Sequence, residues 1–195
     1  MKKFLSVFLS LCVLMFAACA CAGGNTDTGS DNKNSAANAN APVTDVNISQ
    51  YASEGRISGF TLGLGNVMGD VRAQFLGDDS LKFEDKGGFY TLIGGKTKYY
   101  IDKDTYKVVG VLTSEQTYGI KESATPDEMA AYLGQPAATA TPTEAAAVYG
   151  SDAGDRLSQT YNFGSYTLTF YFLSGKIYAT LIYPSDVSLT SVIGG

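Results

Sequence analysis

The clearest structural pattern in this chain is the stretch YTLTFYFLSGKIYATLIY, residues 166–183. Two runs rich in aromatic and β-branched residues flank the pair Ser174-Gly175. A Ser-Gly pair between two such runs is typical of a two-residue β-hairpin loop. Side chains alternate across a strand, so this register predicts one apolar face and one face of hydroxyls and aromatic rings.

The two faces of this predicted hairpin have different expected roles. Phe170 falls on the apolar face with Leu168 and Phe172, so it is predicted to lie in the core. The opposite face places Tyr171 beside Tyr178, and an exposed aromatic pair offers the rigid contact area found at binding hot spots. High β-propensity of Tyr and Thr is the competing explanation for this face. The candidate binding surface consists of Thr169, Tyr171, Tyr178 and Thr180.

The N-terminal residues resemble a secretory signal followed by a lipid-attachment site. Lys2 and Lys3 precede an apolar run over residues 4–18, which is shorter than the about 20 apolar residues of a membrane span. The sequence before Cys19 resembles a bacterial lipobox, which predicts acylation of Cys19 with Cys21 as the alternative. A plain cleaved signal peptide is the other interpretation.

Composition divides the rest of the 195-residue chain into a tether and a domain. Residues 19–42 are low in complexity and rich in Gly, Asn, Ser, Asp and Ala, which predicts a lipidated N-terminus and a disordered tether after a signal peptide over 1–18. Residues 43–195 are long enough for a single domain with its own core. The net charge of −5 argues against nucleic acid as a partner.

Catalytic and metal-binding residue patterns are missing from the sequence. The chain has no His, and its three Cys all lie before residue 22, which excludes Ser-His-Asp and Cys-His catalysis and the usual zinc sites. Asp102-Lys103-Asp104 fails the calcium-loop template, because Lys107 stands where that loop needs Gly, and is interpreted as a polar hairpin turn. The acidic residues within 78–85 are interpreted as a solvated loop. We therefore expect no catalytic site, no metal site and no cofactor.

Two segments share a helical pattern that predicts a repeat. Residues 66–77 and 124–134 both end in an aromatic-Leu-Gly triplet, with Val or Met one helical turn before the aromatic residue. In the second segment Thr125 is a predicted N-cap and Glu128 completes a capping box. Predicted strands follow each helix, at 81–84, 89–93, 97–101 and 106–113, then at 146–149, 157–163, 166–173 and 176–183, with a long loop over 137–145.

Short turns between these strands favour antiparallel hairpins. The predicted fold class is therefore α+β: two degenerate repeats, about 57–113 and 118–186, each with a short helix packed on a small antiparallel β-sheet.

A family resemblance rests on five motifs and their order along the chain. They are Ile57-Ser58-Gly59-Phe60, the helix ending at Gly77, Lys86-Gly87-Gly88-Phe89-Tyr90, Leu133-Gly134-Gln135-Pro136 and Tyr183-Pro184. Over about residues 57–187 the chain resembles the YjgB-like lipoproteins of Gram-positive bacteria, which carry a domain of unknown function. Gly77-Asp78-Asp79 departs from the usual Gly-x-Pro. The architecture is more loosely similar to β-lactamase-inhibitor-like tandem repeats, and neither resemblance implies catalytic residues.

These observations predict a membrane-anchored lipoprotein on the extracytoplasmic side, acting as a binding or interaction module without catalysis. Its expected partners are the membrane, through the lipid anchor, and an envelope protein or cell-wall glycan. Three alternatives stay open: a cell-wall glycan-binding module, a proteinaceous inhibitor of an exported hydrolase, and an enzyme that uses carboxylates alone.

Overall fold

The computed structural model describes residues 43–78, 81–86, 88–141, 146–149 and 154–189. Antiparallel β-strands form most of its regular secondary structure. The helices are α1 (Ile48–Ser53), α2 (Met68–Gln74), α3 (Pro126–Leu133) and α4 (Ala146–Tyr149). The strands are β1 (Lys82–Lys86), β2 (Phe89–Gly94), β3 (Thr97–Asp102), β4 (Val108–Thr113), β5 (Ala138–Ala140), β6 (Arg156–Phe163), β7 (Tyr166–Leu173) and β8 (Lys176–Pro184).

The strands form one eight-stranded antiparallel sheet with the order β1-β2-β3-β4-β8-β7-β6-β5. The predicted fold class, two repeats with a helix on a separate small sheet in each, is therefore wrong. The two groups of hairpins join because β4 pairs with β8, for example through Leu112 and Leu181. This pairing removes two sheet edges that would otherwise leave backbone hydrogen-bonding groups unpaired.

Helix α1 also contradicts the repeat. It precedes the predicted first repeat, was not predicted, and packs against β6 and β7, which belong to the second. Its N-cap Asn47 accepts a hydrogen bond from the backbone N–H of Gln50, 3.1 Å away, and Ile48 and Ala52 are buried. The helices are thus shared along one continuous sheet instead of each covering a sheet of its own.

The two predicted helices are confirmed, and α3 begins where its capping box places it. The Thr125 hydroxyl accepts a hydrogen bond from the Glu128 N–H at 3.3 Å, and the Glu128 carboxylate accepts one from the Thr125 N–H at 2.8 Å. Hydrogen bonds from Thr125 hold the pKa of Glu128 below its usual value. Gly134 ends the helix with a φ of 90°, which a residue with a Cβ rarely adopts.

Two local predictions in the second half are wrong. Residues 146–149 were predicted as a strand and form the helix α4, in keeping with the helix propensity of Ala. Within the predicted loop 137–145, residues 138–140 form the edge strand β5, whose Thr139 pairs with Gln159 of β6. Strand β5 has little strand-forming sequence of its own, so its conformation comes from the edge that β6 offers.

The sheet carries a separate apolar cluster on each face. The larger cluster lies under α1, α2 and α3 and includes Leu168, Phe170 and Phe172 of β7, so the predicted core position of Phe170 is confirmed. The smaller cluster, on the opposite face, contains Tyr171 of β7 and Tyr149 of α4. Because both faces of the sheet are covered, many side chains of β7 and β8 are buried and cannot contact a partner molecule.

Candidate functional site

The four predicted binding residues do not share one face of the sheet. The Ser174-Gly175 hairpin is confirmed, but a β-bulge beyond its first two pairs makes Tyr171 pair with Ala179 and leaves Tyr178 between paired residues. Beyond the bulge, Phe170 pairs with Thr180. Directly paired side chains project to the same face, so Thr180 lies on the opposite face from Tyr171. The predicted register is therefore wrong past the bulge.

Three of these four residues are also buried. The exposed fraction is 4% for Thr169, 8% for Tyr171 and 1% for Thr180. The hydroxyls of Thr169 and Thr160 lie 3.1 Å apart and those of Thr180 and Thr117 lie 2.9 Å apart, so both threonines are hydrogen-bonded within the protein. Burial raises the pKa of the Tyr171 hydroxyl above its usual value. The prediction that this face is open is wrong for these three residues, and only Tyr178 is partly exposed.

Helix α4 and the segment after β8 cover the face that was predicted to be open. The Tyr149 hydroxyl donates to the backbone oxygen of Phe172 at 3.0 Å, and its ring contacts Tyr171 edge-on with centroids 6.1 Å apart. Burial raises the pKa of Tyr149 to about 12. After β8, Leu189 packs on Gly110, where a Cβ would stand 2.6 Å from the leucine Cδ1. This cover could not be foreseen while residues 146–149 were interpreted as a strand.

The bulge gives Tyr178 a different environment from its neighbours. Its ring lies against that of Tyr149, with centroids 5.4 Å apart and planes inclined by 30°, and Arg156 stacks over Tyr149 at 4.8 Å. β-Bulges re-aim side chains and are frequent next to functional sites. Tyr178 also lines the wall of a cleft at this end of the sheet. It is the single predicted binding residue that reaches this cleft.

This end cleft is an open cavity of about 680 Å³ between the β2–β3 turn, the loop after β4 and the start of β8. Its lining residues are Lys96, Ser114, Glu115, Gln116, Thr117, Ile120, Lys121, Glu122, Lys176, Ile177 and Tyr178. Cavities of this size are typical of small-molecule sites.

Backbone hydrogen bonds hold the walls of the end cleft. The Ser114 N–H donates to the Lys96 oxygen at 3.1 Å, which ties the β2–β3 turn to the loop after β4. Inside that loop, the Gln116 side-chain amide donates to the Ile120 oxygen at 2.6 Å, and the Ile120 N–H donates to the Thr117 oxygen at 3.0 Å. The cleft is thus shaped by fixed main chain and not by long side chains alone.

The end cleft combines charges of both signs with an apolar wall. Three lysines, Lys96, Lys121 and Lys176, outnumber the two carboxylates of Glu115 and Glu122, although the whole chain has a net charge of −5. Ile120, Ile177 and Tyr178 supply the apolar wall. Lys121 also interacts electrostatically with Glu128. The ammonium groups of Lys96 and Lys176 favour a ligand that carries an anionic group, and the isoleucines and the tyrosine favour one with an apolar part.

No sequence pattern indicated the end cleft. Its residues come from three segments, 96, 114–122 and 176–178, that the β4–β8 pairing brings together. Each lysine alone has the pattern of a solvated turn residue. A prediction of that pairing would have placed Lys96 and Lys176 at one end of the sheet.

The remaining predicted sites fall outside this geometry. The hairpin-turn interpretation of Asp102-Lys103-Asp104 is confirmed: the Asp102 carboxylate accepts hydrogen bonds from the Thr105 N–H and hydroxyl at 2.8 and 2.7 Å, which lower its pKa. Among the described residues no group of three or more potential metal ligands occurs. Cys19 and Cys21 lie outside the described residues. No helix in the described part of the chain is both long and apolar enough to span a lipid bilayer.

Comparison with known proteins gives one remote structural neighbour. No protein-family model matches the chain, and no curated protein matches it either. The crystal structure of YjgB from Bacillus subtilis, a DUF4309 family protein, is similar to 71% of this chain and 94% of its own, with 16% sequence identity and a TM-score of 0.42. At this identity and TM-score, membership in the YjgB-like family stays a prediction.

Proposed function

We propose that this chain is a lipid-anchored binding module on the extracytoplasmic side of the membrane, without catalysis, and that its ligand occupies the end cleft. The observation that carries this proposal is the cleft itself, in which three lysines and an apolar wall face about 680 Å³ of open space. The absence of His from the whole sequence supports binding over general acid–base chemistry at neutral pH. The predicted roles as a glycan-binding module or as an inhibitor of an exported hydrolase are its alternatives.

The lipid anchor and the family are part of the same proposal. The lipobox-like sequence before Cys19 supports the anchor, and the order of the five motifs over residues 57–187 supports the YjgB-like family. An anchored module keeps its cleft close to the membrane. Anionic lipids there combine a negatively charged head group with apolar chains, which is the chemistry that the end cleft favours.

Acylation is predicted on Cys19 of the mature protein. Mass spectrometry of the N-terminal peptide, prepared from membranes of the native host, should find the acyl chains on this residue. The variant Cys19→Ala should move the protein from the membrane to the soluble fraction, and Cys21→Ala should not. Acyl chains found on Cys21 would reject the choice of site, and an unmodified N-terminus would reject the anchor.

Reversing two charges of the end cleft should remove ligand binding. The double variant Lys96→Glu, Lys176→Glu replaces two of the three lysines at its rim, and we expect affinity to fall at least about tenfold for a ligand with an anionic group. The ligand can be sought by native mass spectrometry of the wild-type protein against a small-molecule extract of the cell envelope. Titration of each variant with the recovered compound then gives the affinities.

The double variant Lys82→Glu, Lys107→Glu provides the charge-matched control, since both lysines are exposed and neither lines the end cleft. It changes the net charge in the same direction without touching the cleft, so it should bind the recovered compound as the wild type does. Equal loss of binding in this control would show that net charge, and not the cleft, decides affinity. Unchanged binding in the double variant would place the site elsewhere.

A further inference from the structure

A row of three aromatic rings includes Tyr90 at the start of β2, the opposite end of that strand from the β2–β3 turn that borders the end cleft. Phe83 of β1 and Tyr90 of β2 have ring centroids 5.1 Å apart, and Tyr90 and Tyr106, from the turn before β4, have centroids 6.1 Å apart with planes inclined by 27°. These three residues are called the aromatic strip. It joins rings from three separate segments into one continuous contact surface.

The two outer rings of the aromatic strip are open to solvent, whereas Tyr90 between them is half-buried against the larger core cluster. Phe83 is 52% exposed and Tyr106 is 49% exposed, whereas large apolar side chains elsewhere in the sheet are mostly buried. The exposed Val67 forms a backbone β-bridge with Lys107, the residue after Tyr106. Two of the five exposed large apolar side chains among the described residues, Phe83 and Tyr106, therefore contact the same ring, that of Tyr90. Grouped exposed apolar side chains mark an interaction site better than single ones do.

Tyr106 holds its exposed ring at a cost in backbone energy. Its φ is 56°, a left-handed conformation that is unfavourable for a bulky side chain. The backbone is fixed on both sides, because the Tyr106 N–H donates to the Asp102 oxygen at 2.9 Å and its own oxygen accepts from the Met68 N–H at 2.8 Å. Gly would adopt this conformation without strain. Because the ring is not buried in the core, packing does not explain why a tyrosine stands here.

The groups beside the aromatic strip are polar, but their charges cancel. The Lys103 ammonium forms an ion pair with the Asp85 carboxylate and lies 5.2 Å from the centre of the Tyr90 ring. Such a neutral pair does not attract a charged polymer over a distance. It still offers hydrogen-bond donors and acceptors next to the rings, together with the hydroxyls of Tyr90 and Tyr106.

We propose that the aromatic strip binds an uncharged glycan chain. A pyranose ring has C–H groups on its faces and hydroxyls around its rim, which matches aromatic rings bordered by hydroxyls and a neutral ion pair. The rings belong to a hairpin and a turn fixed at both sides, so little conformational entropy is lost when they are covered. This inference rests on the proposed function only for the location outside the membrane, and it makes no use of the end cleft.

A second copy of the chain fits this edge of the sheet less well. Antiparallel pairing of β1 with itself about Glu84 would bring the two Glu84 side chains directly opposite each other. Like charges directly opposite each other destabilise a strand pair, and edge lysines are a common protection against such pairing. The edge strand β1 is thus protected against pairing with a second copy, while Phe83 of this strand is exposed to solvent.

The test is titration of the mature wild-type protein with soluble oligosaccharides of N-acetylglucosamine and of glucose, which are neutral, β-linked probes. Wild-type protein should bind at least one of them. Phe83→Ala and Tyr106→Gly should each weaken binding about tenfold, the scale of a truncated aromatic contact. Tyr106→Gly should also leave the thermal unfolding midpoint near that of the wild type, because relief of the left-handed backbone offsets the lost ring contacts. A purely structural tyrosine would lower the midpoint.

Two control variants separate this site from the rest of the molecule. Tyr132→Ala removes a tyrosine of similar exposure, 39%, from α3 and should bind the oligosaccharide normally. The end-cleft variant Lys96→Glu, Lys176→Glu should also bind it normally, so failure of either site is seen independently. The inference is overturned if the wild type binds none of the probes, or if both strip variants bind as the wild type does.

Discussion

Replacing Phe170 by alanine is expected to lower the free energy of unfolding by about 3–5 kcal/mol, the usual range for truncating a buried phenylalanine. The side chain has no exposed surface and lies in the larger apolar cluster under α1, α2 and α3. Its ring meets Tyr161 of β6 edge-on with centroids 6.1 Å apart, so truncation opens a cavity and removes an aromatic contact together. Chemical denaturation followed by circular dichroism gives the change directly.

Phe83→Ala is the matched control, because it makes the same substitution in the same sheet at a position that is 52% exposed. We expect it to cost about 1 kcal/mol or less, since an exposed surface position leaves no cavity. Thr169→Ala should fall between the two, at about 1 kcal/mol, because its hydrogen bond to Thr160 is lost. Equal costs for the two phenylalanine variants would contradict the packing described for the sheet.

Local patterns predicted much of the fold. Strand β7 has the predicted bounds, and β8 extends one residue beyond its predicted end, to Pro184. The hairpin forms at the predicted place because Ser174 and Gly175 both adopt the positive φ that its tight turn requires. Helix α3 follows from Thr125 and Glu128, whose reciprocal hydrogen bonds form within four consecutive residues. These features depend on contacts between residues that are close in the chain, and local sequence patterns therefore predict them.

Features that depend on distant contacts could not be predicted. Pairing of β4 with β8 joins strands from the two halves, and no local pattern indicates which sheet edges will meet. The bulge beside Phe172 moves every later pair of the hairpin by one residue, although the turn itself is as predicted. The choice of Thr180 as a binding residue failed for this reason. Tyr178 lines the end cleft because the bulge releases it from strand pairing.

The aromatic strip illustrates the same limit in a different form. Phe83 and Tyr90 lie on paired strands, and their proximity follows from the β1–β2 hairpin alone. Tyr106 joins them only because a left-handed backbone turns it back over β2. Local sequence preferences disfavour a tyrosine in this left-handed conformation. Strained positions of this kind are where local sequence rules fail and where functional residues are expected.

Gly94→Ala is expected to destabilise the protein by about 1–2 kcal/mol through a clash with a single side chain. Its φ is not in the left-handed region, so the backbone accepts alanine, and reduced entropy of the unfolded chain would by itself add about 0.4–1 kcal/mol of stability. A Cβ at this position, however, would lie 2.5 Å from two ring atoms of Phe75. Overpacking of this kind costs about 1–3 kcal/mol, which exceeds the entropic gain.

The sign of this effect can be reversed by changing the neighbour. Phe75, at the end of α2, packs edge-on against Tyr99 with centroids 6.3 Å apart. In a Phe75→Ala background the three ring atoms within 3 Å of the added Cβ are absent. Gly94→Ala should then be neutral or stabilising, and a double-mutant cycle by chemical denaturation measures the difference. Gly69→Ala, inside α2 with open space around its Cβ, is the matched control and should stabilise the protein by about 0.5–1 kcal/mol. If Gly94→Ala destabilises equally in both backgrounds, the ring of Phe75 is not what requires glycine at position 94.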